Sequence, residues 1–222
     1  LKDLLNNNAD SVVVDKDAPT IKPSINDMDA KTDWYKDTAL LKVRVADMSS
    51  IKSIRYVLNG QEFTETVDNT EYETTINLEN YVDDRGKVNF LFEAVDSLGS
   101  KSEYSEVFSV DTKNPELSNG SLKGNVNIRD NIGYVSGSLE LNGDTLDLES
   151  GVGSIEILKN SQVVGTSLPF TIKDSGSYKV RVIDNVGHSI TKTLKELTGM
   201  DIDRVVVDRN APVVDYKDGF TA

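Results

Sequence analysis

The chain has 222 residues, 37% of them hydrophobic, and a formal net charge of −13 from 24 Lys and Arg against 37 Asp and Glu. That length suits one large domain or two of about 100 residues, and the acidity disfavours nucleic acid and anionic bilayers as partners. The absence of cysteine excludes thiol catalysis, disulfides and Cys-ligated zinc, the single His188 leaves little for imidazole chemistry, and no apolar run reaches the roughly 18 residues a spanning helix needs, so no membrane insertion is expected.

The sequence opens on Leu1 with no signal-peptide pattern, which reads as a segment of a longer protein. Val14-Asp15-Lys16-Asp17-Ala18-Pro19 is the first copy of a motif that returns as Val110-Asp111-Thr112-Lys113-Asn114-Pro115 and Val207-Asp208-Arg209-Asn210-Ala211-Pro212. The prolines stand 96 and 97 residues apart, about one β-sandwich domain. Leu41–Val45 alternates with period two, as a half-buried strand does. Ile54, Tyr56 and Leu58 continue the pattern into Asn59-Gly60, a hairpin signal. Val88, Phe90, Phe92 and Ala94 are expected to face inward, and Asp96–Gly99 to turn the chain between the last two strands.

The second half repeats this order. Ser49–Tyr56 aligns with Ser150–Ile157, Asp84-x-Gly86-x-Val88 with Asp174-x-Gly176-x-Tyr178, and Asp96–Gly99 with Asp184–Gly187. His188 then reads as an exposed turn residue. Leu194–Leu197 is the one weak helical signal and is too short to stand alone. Residues 1–19 match 194–212 at ten of 19 positions, so Leu1–Val14 reads as the tail of a preceding related domain and the whole as about one 193-residue period of a longer array. The expected class is all-β, two tandem immunoglobulin-like sandwiches over 15–111 and 112–208, with 209–222 opening a further domain.

These residues resemble bacterial immunoglobulin-like repeat domains. The likeness rests on Trp34, Leu41–Val45, Asp47, Ile51–Tyr56, Asn59-Gly60 and Asp96–Gly99 in the first half. In the second it rests on Ser150-Gly151-Val152, Ile155–Leu158, Asp174-x-Gly176-x-Tyr178 and Asp184–Gly187. The Asp-x-Gly-x-Tyr segment is similar to a tyrosine corner, with Tyr178 bonding back to the main chain. Val88 stands in the corresponding place in the first half, and neither half has a Trp in its third strand. The resemblance implies spacers, stalks or adhesive modules on cell surfaces, in secreted glycan-active enzymes or on virions, and fold alone does not choose among them.

Two sets of residues are candidate sites. Asp15, Asp17, Asp111, Asn114, Asp208 and Asn210 put oxygen ligands at the domain junctions, a pattern with some likeness to the calcium junctions of cadherins, and calcium takes six to eight such oxygens. The alternative is that each Asp ends a strand and each Pro opens the next domain. The loop acids Asp27, Asp29, Asp33 and Asp37 lack the spacing of an EF-hand and read as a solvated loop. Trp34 and Tyr35 could stack on a sugar, or pack over the end of the sandwich. The reading is a non-enzymatic spacer of an extracellular surface or virion protein, with neighbouring domains of the same chain as partners. The alternative is an adhesin or glycan-binding accessory module that contacts a host surface protein or glycan.

Overall fold

In the computed structural model, which describes residues 14–26, 28–29 and 33–210, the chain divides into two compact units between Thr112 and Lys113. The expected preceding tail (apart from Val14), the following domain from Ala211 onward and Asp27 lie outside the described residues.

The first unit contains β1 (Thr20–Ile25), β2 (Met28–Asp29), β3 (Trp34–Lys36), β4 (Leu40–Leu58), β5 (Gln61–Asn77), β6 (Lys87–Asp96) and β7 (Lys101–Asp111). Its central device is β4, a 19-residue strand that serves both layers of a sandwich. The first part of β4 pairs with β1, and its second part, Ile51–Leu58, pairs with β6. Strand β5 follows β4 along both parts. Between the pairs Ala46↔Glu71 and Ile51↔Asn69, residues 47–50 of β4 oppose only Thr70, so the register breaks and the strand turns from one layer to the other. Strand β7 closes the second layer against β6 and takes β3 in parallel at its far end.

Period-two alternation fills the space between the layers. Leu41, Val43 and Val45 from one layer meet Ile54, Leu58, Val88, Phe90, Phe92 and Phe108 from the other in one buried cluster. The inward set expected for β6 is buried throughout.

The second unit repeats the plan with β8 (Glu116–Lys123), β9 (Asn127–Arg129), β10 (Ile132–Val135), β11 (Leu139–Leu146), β12 (Val152–Lys159), β13 (Gln162–Gly165), β14 (Phe170–Ile172), β15 (Tyr178–Asp184), β16 (Ser189–Thr193) and β17 (Arg204–Val207). One layer is β14-β11-β8, and the other is β13-β12-β15-β16. Strand β17 pairs in parallel with β10, as β7 does with β3. Leu139, Leu141, Ile157, Ile172, Tyr178, Val180 and Val182 form the core. Each unit is thus an immunoglobulin-like β-sandwich.

The units differ where the last strand runs. In the first, β7 is continuous, whereas in the second its counterpart is interrupted by helix α1 (Leu194–Thr198). Five residues form a helix here because both ends are fixed. Thr193 and Glu196 make a reciprocal capping box, and Gly199 ends the helix in the left-handed region at φ 72°. Leu194 and Leu197 are buried, and a Cβ on Gly120 of β8 would overlap Leu197. Tertiary packing therefore makes a helix of a signal too weak to predict alone.

The corners follow local chemistry. Asn59 and Gly60 both have positive φ, as do Asn160 and Ser161 in the second unit, which is the geometry a tight two-residue hairpin requires. The Tyr178 hydroxyl donates to the Asp174 carbonyl at 2.8 Å, the expected corner. In the first unit Asp83 Oδ1 accepts from the Arg85 and Lys87 amides, and Asn59 Nδ2 donates to the Tyr81 and Lys87 carbonyls. Amide and carboxylate side chains do there what a phenol does in the second unit.

Ser161 sits at φ 70°, where a Cβ is unfavourable. Ser161→Gly is expected to raise the stability of the second unit by roughly 0.5–1 kcal/mol. Tyr178→Phe, which deletes one half-buried hydrogen bond, is expected to lower it by about 1 kcal/mol. Urea midpoints at unchanged slope would measure both, and a destabilised Ser161→Gly would refute the strain argument.

Candidate functional site

One pole of the first unit gathers acids from three places in the sequence. At the register break in β4, Asp47 Oδ1 accepts from the Ser49 amide at 2.8 Å and the Ser49 hydroxyl at 2.6 Å, replacing ladder bonds that the bulge drops. At the end of β6, Asp96 Oδ1 accepts from the Leu98 and Ser100 amides at 2.9 and 2.7 Å and so closes the turn to β7. The Ser97 amide donates to the Ser50 carbonyl and ties that turn to the bulge. Ahead of β1, Asp15 accepts from the Asp17 amide at 3.0 Å through Oδ1 and from the Ser49 amide at 3.1 Å through Oδ2. The Asp17 amide is the main reason that the Asp15 carboxyl lies below the ordinary carboxylate range.

These bonds draw the carboxylates together. Asp15, Asp47 and Asp96 each offer an oxygen, and the three oxygens lie within 4.8 Å of one another. Asp96 is fully buried, and its Oδ2 accepts no hydrogen bond among the described residues. Asp17 and Asp47 line a shallow groove beside them together with Thr70 and Glu71. Of the six predicted junction ligands, then, Asp15 joins the cluster and Asp17 borders it. Asp96 was legible only as a turn residue and Asp47 only as part of the resemblance, and nothing local to either marks it as a ligand.

The corresponding pole of the second unit is built alike and neutralised differently. Asp147 Oδ1 accepts from the Glu149 and Gly151 amides, and the Asn185 amide donates to the Gly151 carbonyl. Asp184 Oδ1 accepts from the amides of Val186, Gly187 and His188. Its Oδ2 lies 3.1 Å from His188 Nδ1. The His188 side chain is 10% exposed, so the expectation of an exposed turn residue is corrected: the ring folds back to satisfy the buried carboxylate. Glu149, almost wholly buried, is paired with Lys113 at 2.6 Å.

The remaining predicted ligands have different surroundings. Asp111 is the fully buried last residue of β7, and Asn114 is exposed. Asp208 follows β17, and its Oδ1 accepts from the Asn210 amide in a local turn. Both line an open cleft of about 590 Å³ with Asn125, Asn127 and Tyr134. Among the described residues Asp208 and Asn210 join no cluster of three acidic or imidazole ligands. Of the loop acids, Asp33 is exposed and Asp37 half-buried.

Trp34 and Tyr35 lie on β3 at the opposite pole from the acidic cluster. The indole is half-buried over Gly86, where a Cβ would stand 2.9 Å from the ring, and the Lys87 ammonium lies 4.1 Å from the ring centroid. Tyr35 packs against the core.

Another cluster of the first unit pairs its acids with bases. On the outer face of the second layer, Glu93 is held between Lys101 and Arg55, and Arg55 also bonds Glu62. The Lys101 ammonium, followed by Arg55, holds the Glu93 carboxyl below its ordinary range.

Neither a family model nor a curated protein sequence matches the chain. Solved structures do. Murine CEACAM1b matches at 13% identity and a TM-score of 0.38, over 80% of this chain and 98% of that one. A 1.5-MDa bacterial ice-binding adhesin matches at 14% and 0.36, over 87% of this chain and 67% of that one. Dimeric latent PorU from Porphyromonas gingivalis matches at 15% and 0.36, over 86% of this chain, which spans about a fifth of its length.

The Glu93 cluster yields a pH prediction with a defined sign. Because the folded value is depressed, its contribution is complete above the unfolded value near 4.5 and is lost as pH falls through the folded value. Denaturant midpoints of the wild type should fall as the pH drops below about 4.5, and those of Glu93→Gln should fall less steeply; equal slopes would refute the assignment.

Proposed function

We propose that the chain is a spacer segment of an extracellular, multi-domain surface protein, holding a distal functional module away from a cell or virion surface. The observation that supports this reading is the path of the chain through each sandwich. In the first unit the chain arrives at the pole that holds the β4 bulge and the β6–β7 turn, where Asp15 bonds Ser49. It departs at the other pole, where the Val110 amide bonds the Gly86 carbonyl. The ten residues of β6 separate the two, about 30 Å at the rise of a strand. The second unit has the same plan. Lys113 pairs with Glu149 at the arriving pole, and Gly176 bridges Val205 at the departing one. A domain entered at one end and left at the other adds length with each copy, which suits arrays grown by duplication. The core strands and the Pro-containing junctions carry this role, with no catalytic set required, and an acidic surface keeps such modules soluble and apart.

A second reading is a glycan-binding accessory module. The feature that favours it is the cleft where Tyr134 stands among Asn125, Asn127 and Asp208, an aromatic face with amide and carboxylate partners of the kind sugars use.

Two measurements on the 222-residue chain separate these readings. Pulled from its ends, a spacer should unfold in two steps, each releasing roughly 30 nm of chain, and it should show no saturable signal on a glycan array or on host cells. Saturable glycan binding that Tyr134→Ala abolishes, with both unfolding steps intact, would overturn the spacer reading in favour of the second.

A further inference from the structure

We infer that Asp15, Asp47 and Asp96 form a divalent-cation site, with calcium as the fitting ion, that clamps the segment ahead of β1 to the pole of the first sandwich.

The argument rests on what each oxygen already does. Asp96 Oδ1 is committed to the turn amides, Asp47 Oδ1 to Ser49, and both Asp15 oxygens accept from main-chain amides. Asp96 Oδ2 remains, buried in a residue with no exposed surface and without a hydrogen-bond donor. A buried carboxylate oxygen without a donor is costly. Two further carboxylates beside it repel it, and none of the three is paired with a Lys or Arg among the described residues. The β6–β7 turn fixes Asp96 in place, so the cluster cannot relax by swinging that side chain into water. A cation resolves the burial and the repulsion together.

The dimensions fit. Calcium binds oxygens at about 2.3–2.6 Å, so two ligands on opposite sides of one ion stand roughly 4.8 Å apart. Three oxygens within 4.8 Å of one another can therefore share a single ion. Calcium tolerates irregular sets of carboxylate, carbonyl and water oxygens, whereas magnesium demands a near-ideal octahedron. The groove along Asp17 and Asp47 gives the ion and its waters a route from solvent.

The second unit is the internal control. Its turn is the same, and Asp184 Oδ2 meets His188 Nδ1. The residue in the place of His188 in the first unit is Ser100, whose amide bonds Asp96 Oδ1 and whose short side chain replaces the imidazole. Lys113 likewise answers Glu149. The second pole thus carries its own donors and cation, and the first takes its cation from solution. This inference is independent of the spacer reading, since a binding module could carry the same clamp.

The test is titration of the chelator-treated 222-residue chain with calcium chloride by calorimetry, with thermal unfolding in parallel. One calcium per chain is expected, with a raised unfolding midpoint. Asp15→Asn, which keeps the size of the side chain and lies outside the core, should weaken binding at least tenfold while leaving the chelator-state midpoint near wild type. Ser100→His should weaken binding at least tenfold and raise the midpoint in chelator. No binding up to about 5 mM calcium, well beyond the weakest extracellular sites, would overturn the proposal. So would binding that both Asp15→Asn and Asp96→Asn leave unchanged.

Discussion

Both layers of the first sandwich hang on one strand, and that strand must keep its apolar residues inward on either side of a bend. Leu41, Val43 and Val45 face the core before the bend, and Ile51, Ile54 and Leu58 face it afterwards. A simple continuation of the ladder cannot do this, because in a period-two strand the passage from one layer to the other requires a break in register. Residues 47–50 supply the break, and the break leaves amides without ladder partners. Carboxylate and hydroxyl side chains must then take those amides, so Asp47 and Ser49 stand where they do. The same demand recurs at the β6–β7 turn and is met by Asp96. Acids at this pole are therefore a consequence of closing the sandwich before they are anything else.

That origin explains why the cluster is tight. A carboxylate has two oxygens, and a turn uses one of them. Wherever a turn acid is also buried, the second oxygen has to be answered by something within reach. The two units give two answers from one backbone plan. His188 supplies a donor to Asp184, whereas the counterpart position in the first unit is a serine, and Asp96, its Oδ2 without a donor among the described residues, has Asp15 and Asp47 beside it instead. On the same sandwich Glu93, by contrast, is answered directly by Arg55 and Lys101.

Fold was legible because it depends on short-range pattern. Alternation marked β6 and β15, Asn59-Gly60 marked the hairpin, and Asp-x-Gly-x-Tyr marked the corner at Tyr178. Each of these is a relation among residues within a few positions. Helix α1 was less legible, since four or five residues have no helical preference that survives in water, and its support comes from Gly120, some 75 residues away in sequence. The candidate site was legible least. Asp15 stood out through the repeated Val-Asp motif, but Asp47 and Asp96 are 32 and 81 residues further on, and only the meeting of bulge and turn at one pole brings the three together. The same motif gave Asp208 an equal claim, although Asp208 merely bonds Asn210 and borders a cleft. A repeated motif reports a repeated backbone path, and its chemistry depends on what the path meets.

The alignment of the two halves shows how narrow that dependence is. Asp96-Ser97-Leu98-Gly99 and Asp184-Asn185-Val186-Gly187 match at the residues that make the turn, with both glycines at positive φ. The residue that decides the fate of the buried oxygen is the next one, Ser100 or His188, and it belongs to no turn signature. The turn itself depends on the Asp, which takes its amides, and on the Gly, which takes its positive φ. How the buried oxygen is answered depends on the next position, where serine and histidine both give their amide to the turn Asp. Duplicated sandwiches can therefore keep one architecture while diverging in how a pole is neutralised, and a tandem pair can hold both solutions at once.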